Sequence, residues 1–228
     1  MLKTERMDRV RAALRAQGLT QMIVCDPKSV WYLTGVAVEP YERLLALYLP
    51  TEGEPVLFLN RLFNVPEPPC RTVWHTDTDK PVAQIAEVVD AGRPLGIDKE
   101  WPAKFLIPLM ETHPGMQVVL SSDCVDDCRA CKDAEEQTLM REASRINDAV
   151  NEAAKHYIKA GMTEREVAEF IDAQFRAHGC EGPSFTTIVS FGANAADPHH
   201  EPDDTVLKEG DCVLFDICLL YTSPSPRD

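Results

Sequence analysis

Apolar residues change their spacing twice along this chain, and each change marks a change of architecture. Up to about residue 120, short apolar runs alternate with stretches of helical period. Met7, Val10 and Leu14 fall on one helix face, and Gly18 stands where a terminating glycine is expected. Residues 22–26 read as a short buried strand broken by Pro27, and 29–35 as a compact apolar turn. Runs 44–49 and 56–59, joined by the polar 51–54, predict a hairpin. Helices are expected over 81–91 and 103–111, and strands over 94–98 and 116–120. Such alternation implies a mixed α/β layer fold.

The second regime is purely helical. Over 134–159, Leu139, Ala143, Ile146, Val150, Ala153 and Tyr157 recur at spacings of three and four, forming one stripe that Gly161 ends. Thr163-Glu-Arg-Glu166 then has the form of a capping box, with Val167, Phe170, Ile171 and Phe175 as the buried face of the next helix and Gly179 closing it. The third regime is β-like, with strands expected over 185–190 and 212–217 and a polar loop, 192–210, between them. The expected organisation is an α/β (α+β) chain of two domains, 1–125 and 132–218. Residues 219–228 carry two prolines and no apolar period, and are expected to be a non-native tail.

Lys plus Arg number 23 against 37 Asp plus Glu, a net charge of -14, which argues against binding to phosphate backbones or anionic membranes. No apolar h-region follows Met1, and the longest apolar runs are too short to span a bilayer, so a soluble cytoplasmic protein is expected. Its eight cysteines are then expected as thiols. Cys124, Cys128 and Cys131 have a spacing also used for iron–sulfur clusters. The competing reading, that cysteine here replaces small hydrophobes, is preferred.

The chemistry concentrates between residues 188 and 217. The polar loop carries His199 and His200 between Pro198 and Pro202, two prolines that stiffen the segment. Asp216 sits in the apolar run Val213-Leu-Phe-Asp-Ile217, where a carboxylate is costly unless paired or bound to a metal. Carboxylate with imidazole suits a divalent cation such as Mn, Co or Zn. On spacing alone, a solvated histidine pair and a salt-bridged or capping aspartate are the commoner readings.

Several ordered motifs narrow these alternatives. Ile188-Val-Ser-Phe-Gly-Ala-Asn194, Pro198-His199, Leu207-Lys-Glu-Gly-Asp211 and Leu214-Phe-Asp216 resemble the strand, loop, turn and strand of the pita-bread metallopeptidases. That family includes methionine aminopeptidase, aminopeptidase P, prolidase and creatinase. Arg129-Ala-Cys-Lys-Asp-Ala-Glu-Glu136 and Met140-Arg-Glu-Ala143 resemble the entry to its catalytic domain. Ser29-Val-Trp-Tyr-Leu-Thr-Gly35 resembles a signature of the N-terminal domain of prolidase, aminopeptidase P and creatinase. The resemblance implies a creatinase-like N-terminal α/β domain followed by the first part of a pita-bread domain that ends early.

By that resemblance, His199 is the catalytic histidine that contacts substrate, and Asp216 is the first metal-ligating aspartate. Two divalent cations (Mn, Co or Zn) are implied for a full-length protein, as are a peptide substrate with proline second and a homo-oligomer. The second aspartate is expected near position 227, which is Arg227. One ligand of five does not hold a dinuclear site, so this chain is expected to be inactive alone. A non-catalytic binding module of the same fold, or a creatinase-like amidinohydrolase, stands as the alternative. No nucleic acid or membrane partner is expected.

Overall fold

The computed structural model describes residues 2–220. The chain divides into two compact units, which meet in sequence between Lys132 and Asp133.

The first unit contains a six-stranded sheet. In chain order it runs α1 (Thr4–Ala16), β1 (Gln21–Val24), α2 (Pro27–Thr34), β2 (Ala46–Pro50), β3 (Val56–Asn60), β4 (Arg71–His75), α3 (Pro81–Ala86), β5 (Leu95–Ile97), α4 (Ala103–Thr112), β6 (Val118–Leu120) and α5 (Asp123–Ala130). The strand order is β4-β3-β2-β1-β5-β6. Strands β1 and β2 are antiparallel, as are β2 and β3, while β1, β5 and β6 run parallel and β3 runs parallel to β4.

Strict alternation splits the apolar side chains between the two faces of the sheet. Met22, Val24, Leu47, Leu49, Leu57 and Leu59 pack on one side with residues of α1, α2 and α5. Ile23, Ala46, Tyr48, Val56 and Phe58 pack on the other with Ile85 of α3 and Leu109 of α4. A sheet buried on both faces reads as continuous apolar runs, which is how its sequence looks.

Four elements differ from the sequence expectation. The turn expected over 29–35 is a helix: Pro27 opens α2 rather than only ending β1. The Asp26 carboxylate accepts from the Ser29 N–H at 2.8 Å, and Gly35 closes the helix at φ 75°. Strand β4 carries exposed and half-buried residues and was not foreseen. Helix α5 spans the expected end of the first domain, where no element is expected; it is held by Cys124 and Val125, each 1% exposed. The helix expected over 81–91 is shorter, ending at Ala86.

The second unit begins with α6 (Ala134–Tyr157) and α7 (Glu164–Ala177). Each starts in a complete capping box, Asp133 with Glu136 and Thr163 with Glu166. Two ribbons follow. Strand β7 (Gly182–Pro183) pairs with β10 (Leu219–Leu220), and β8 (Ile188–Phe191) pairs antiparallel with β9 (Val213–Asp216). A 3-10 turn, Gly192–Ala196, leaves β8. Ile146, Val150 and Ala154 of α6, Val167, Ile171 and Phe175 of α7, and Val189 and Phe191 form this unit's core. The buried stripe of α6 continues through Ala154 rather than the half-buried Ala153. Phe170, expected on the buried face, is half-buried against this core and stacks on Tyr157, ring centroids 3.8 Å apart. Leu219 and Leu220, expected to begin a non-native tail, form β10; residues 221–228 lie outside the described residues.

Candidate functional site

The loop that carries the histidine pair is organised by one residue of α7. Thr163 caps that helix, so Glu164 is its first residue, where a negative charge faces the positive end of the helix dipole. Glu164 is fully buried. Its Oε1 accepts from the Phe191 N–H at 2.7 Å and from Asn194 Nδ2 at 3.0 Å. Its Oε2 accepts from His200 Nε2 at 2.7 Å and from the Asp203 N–H at 3.1 Å. A buried carboxylate is tolerable only with such donors, and here both oxygens are fully engaged.

The contact with Oε2 requires the proton of His200 to sit on Nε2. Asn194 adds a bond from Nδ2 to Thr205 Oγ1 at 3.1 Å, so residues 191, 194, 200, 203 and 205 are tied together. Thr205 donates to the Asp203 carboxylate through its hydroxyl and its N–H, which holds that carboxyl below its ordinary range.

The two histidines are therefore separated in role. His200 turns inward to Glu164. His199 is exposed, and its N–H donates to Asp197 Oδ1 at 3.0 Å. Asp216 lies opposite Ile188 in the β8–β9 ribbon, at the end away from the Phe191–Val213 pair where the histidine loop departs. Three residues along a strand is about 10 Å. The expectation that Asp216 is embedded needs correction: it is exposed at the end of β9, a ribbon too short to cover it. Among the described residues it has no ion-pair or hydrogen-bond partner, so nothing there competes with a cation for it.

One exposed carboxylate does not make a two-ion centre. The grouping of three potential ligands among the described residues is Glu164, His200 and Asp203, and it does not include Asp216 or His199. Its central carboxylate is saturated by N–H donors, so the geometry fits an anchor for the loop better than a cation site. The iron–sulfur spacing gathers no site either. Cys124 is buried, Cys128 half-buried and Cys131 exposed, and no grouping of potential ligands among the described residues includes them.

Glu164 was missed as a site residue because its partners lie 27 to 39 positions downstream. The capping box located the helix start but said nothing of what packs above it. The adjacent histidines were the available clue.

Comparison with known proteins places the chain. Residues 6–131 match the family model of the creatinase/prolidase N-terminal domain, and residues 138–223 match metallopeptidase family M24. An uncharacterized peptidase of Staphylococcus epidermidis is 28% identical over 216 residues, 93% of this chain and 61% of that protein. The crystal structure of dipeptidase PepE from Mycobacterium ulcerans aligns with a TM-score of 0.84 and 30% identity, over 94% of this chain and 59% of its own. A prolidase from Thermococcus sibiricus aligns with a TM-score of 0.84 and 28% identity, over 95% and 61%. The chain thus spans about 60% of the length of these relatives. Among the described residues, no helix is long and apolar enough to cross a membrane. With both segments matched in order, the chain belongs to the creatinase/prolidase N-terminal domain family over residues 6–131 and continues into a segment, 138–223, that matches metallopeptidase family M24.

Proposed function

We propose that this chain supplies part of the active site of a cytoplasmic, metal-dependent peptidase that cleaves Xaa-Pro bonds, of the dipeptidase or aminopeptidase P type. The observation that carries the reading is the exposure of His199 on a loop whose flanks are anchored to the buried Glu164, so that its imidazole is presented without being consumed by the fold. In this reading His199 hydrogen-bonds the substrate and orients its scissile carbonyl. Asp216 would supply one ligand to a pair of divalent cations (Mn, Co or Zn), whose chemistry when bound would be to activate water and polarise that carbonyl. The other ligands are not among the described residues, so residues 1–228 alone are inactive. The substrate is a peptide with proline at its second position, and the working enzyme is a homo-oligomer.

The test joins residues 1–217 to the C-terminal segment of a full-length relative and measures manganese-dependent hydrolysis of Ala-Pro, Ala-Ala and creatine. Ala-Pro is cleaved preferentially. Removing an oriented hydrogen-bonding group by His199→Ala lowers turnover by about 100-fold, and Asp216→Asn loses the metal dependence. Turnover indifferent to both substitutions would refute the roles given to these residues, and cleavage of creatine instead of Ala-Pro would replace the peptidase reading. Hydrolysis by the 228-residue chain alone would overturn its inactivity.

A further inference from the structure

The first unit holds a crevice of about 750 Å³ that the peptidase reading does not use. Its position follows from the topology. Strands β1 and β5 are parallel neighbours. After β1 the chain passes to α2, whose Val30, Tyr32 and Leu33 pack on one face of the sheet. After β5 it passes to Trp101 and α4, whose Leu109 packs on the other. Where connections from adjacent parallel strands diverge to opposite faces, a gap opens beyond their carboxyl ends, and such gaps are the usual ligand sites of α/β sheets. The crevice is lined by Cys25, Asp26 and Pro27 after β1 and by residues 99–102 after β5.

Its floor is preorganised. Asp98, 5% exposed, accepts from the N–H groups of Cys25, Asp26 and Glu100, so one carboxylate latches the two strand ends together. Two buried donors have no partner among the described residues, Nε1 of Trp101 and Nε of Arg129. Both residues line the crevice and are more than nine-tenths buried, at 6% and 8% exposure. Arg129 is otherwise fixed: its Nη1 donates to Asp26 Oδ2 at 3.0 Å and to Ser29 Oγ at 2.9 Å. Unsatisfied buried donors are rare and costly, and they point to an acceptor.

The cations of the lining are themselves paired, Arg43 with Asp77, Lys99 with Asp126 and Arg129 with Asp26. A guanidinium N–H and an indole N–H both suit an oxygen acceptor, and the charge on Arg129 favours an anionic one. Pro27, Pro40, Pro102 and Phe105 supply apolar wall, and Tyr41, 79% exposed with φ 49°, stands at the lining as well.

We propose that this crevice binds a small carboxylate with an apolar or aromatic body, its oxygens taken by Arg129 Nε and Trp101 Nε1. The source is either a free organic acid or the C-terminus of a peptide, since both offer the same carboxylate. Binding changes the surroundings of the Trp101 indole, which makes that residue the reporter.

The test labels the 228-residue chain with 5-fluorotryptophan and assigns the Trp101 signal, one of three, by Trp101→Phe. Phenylacetate is titrated against its neutral isostere phenylacetamide, and N-acetyl-alanyl-phenylalanine against its C-terminal amide. The acids shift the Trp101 signal saturably, and the amides bind about tenfold more weakly, the loss expected for one charge-assisted hydrogen bond. Arg129→Lys, which keeps the charge but removes the Nε donor, weakens the acids by a similar factor while far-UV circular dichroism stays unchanged. Saturation by the peptide acid alone assigns the site to peptide termini; saturation by both assigns it to free acids as well. No Trp101 shift with either acid, or equal affinity for acid and amide, would overturn the proposal. The acid–amide comparison needs no variant and decides the question even if Arg129→Lys fails to fold.

Discussion

Replacing Glu164 by alanine strips the acceptor from four donors at once. Two of these are backbone N–H groups, those of Phe191 and Asp203, which cannot rotate away to find another partner. Phe191 is 1% exposed, so water does not replace the lost acceptor. Each buried donor left unmade costs about 1–3 kcal/mol, and removing one partner of a buried charged contact costs about 3–5 kcal/mol. We take about 4 kcal/mol for Glu164→Ala. In a domain of this size each kcal/mol moves the melting temperature by about 4–8 °C, so the second unit melts roughly 15–30 °C lower. Glu164→Gln preserves shape and one acceptor oxygen but turns a donor toward the others, and costs about half as much. Calorimetry gives the shift. Amide hydrogen exchange at Phe191 and Asp203 locates it, because protection there falls before protection of the α6 core. A loss below about 1 kcal/mol, with the Phe191 amide still protected in Glu164→Ala, would show that the loop holds its shape without this carboxylate.

Two further predictions concern ionisation. Burial and the neighbouring Asp98 carboxylate push the Cys25 thiol far up, and burial pushes Cys124 to about 11. At pH 8, iodoacetamide followed by mass spectrometry therefore labels the exposed Cys131 and Cys212 first and leaves Cys25 and Cys124 unmodified; early labelling of Cys25 would contradict the packing of β1. Hydrogen bonds from Arg43, then from Asn60, hold Asp77 below its ordinary range. A carboxyl depressed in the folded state adds stability above its unfolded value near 3.8 and loses it as pH falls through the folded value. Asp77→Asn therefore flattens acid unfolding below pH 4, read by circular dichroism, and an unchanged acid limb would refute the contribution.

The layered α/β body was legible because both sheet faces are buried and the chain writes this as apolar runs punctuated by Gly and Pro. The helices α6 and α7 were legible to within two residues at each end, from the apolar period of both and the capping box of α7. What failed was local chemistry read in one sense only. Pro27 was taken as a breaker, although Asp26 before it is a helix cap. Strand β4 buries little, so it left no apolar run. The acidic, cysteine-rich stretch of α5 contributes only Cys124 and Val125 to the core in full, too few for a visible period. In the loop, the histidine pair was visible but its division of labour was not, because it depends on Glu164 from another element. Asp216 looked embedded by its neighbours in sequence, yet ribbon geometry leaves it in solvent.

The anchoring of residues 191, 194, 200 and 203 to a single carboxylate has an engineering consequence. With both flanks clamped, the variable part of a long loop shrinks to a tip of a few residues around Asp197 and His199. Lengthening or reshaping that tip changes a short closure, whose entropy grows only slowly with added residues. A library grafted there would sample new geometries for one imidazole while helix α7 kept the frame fixed, so variation in reach would be separated from variation in stability.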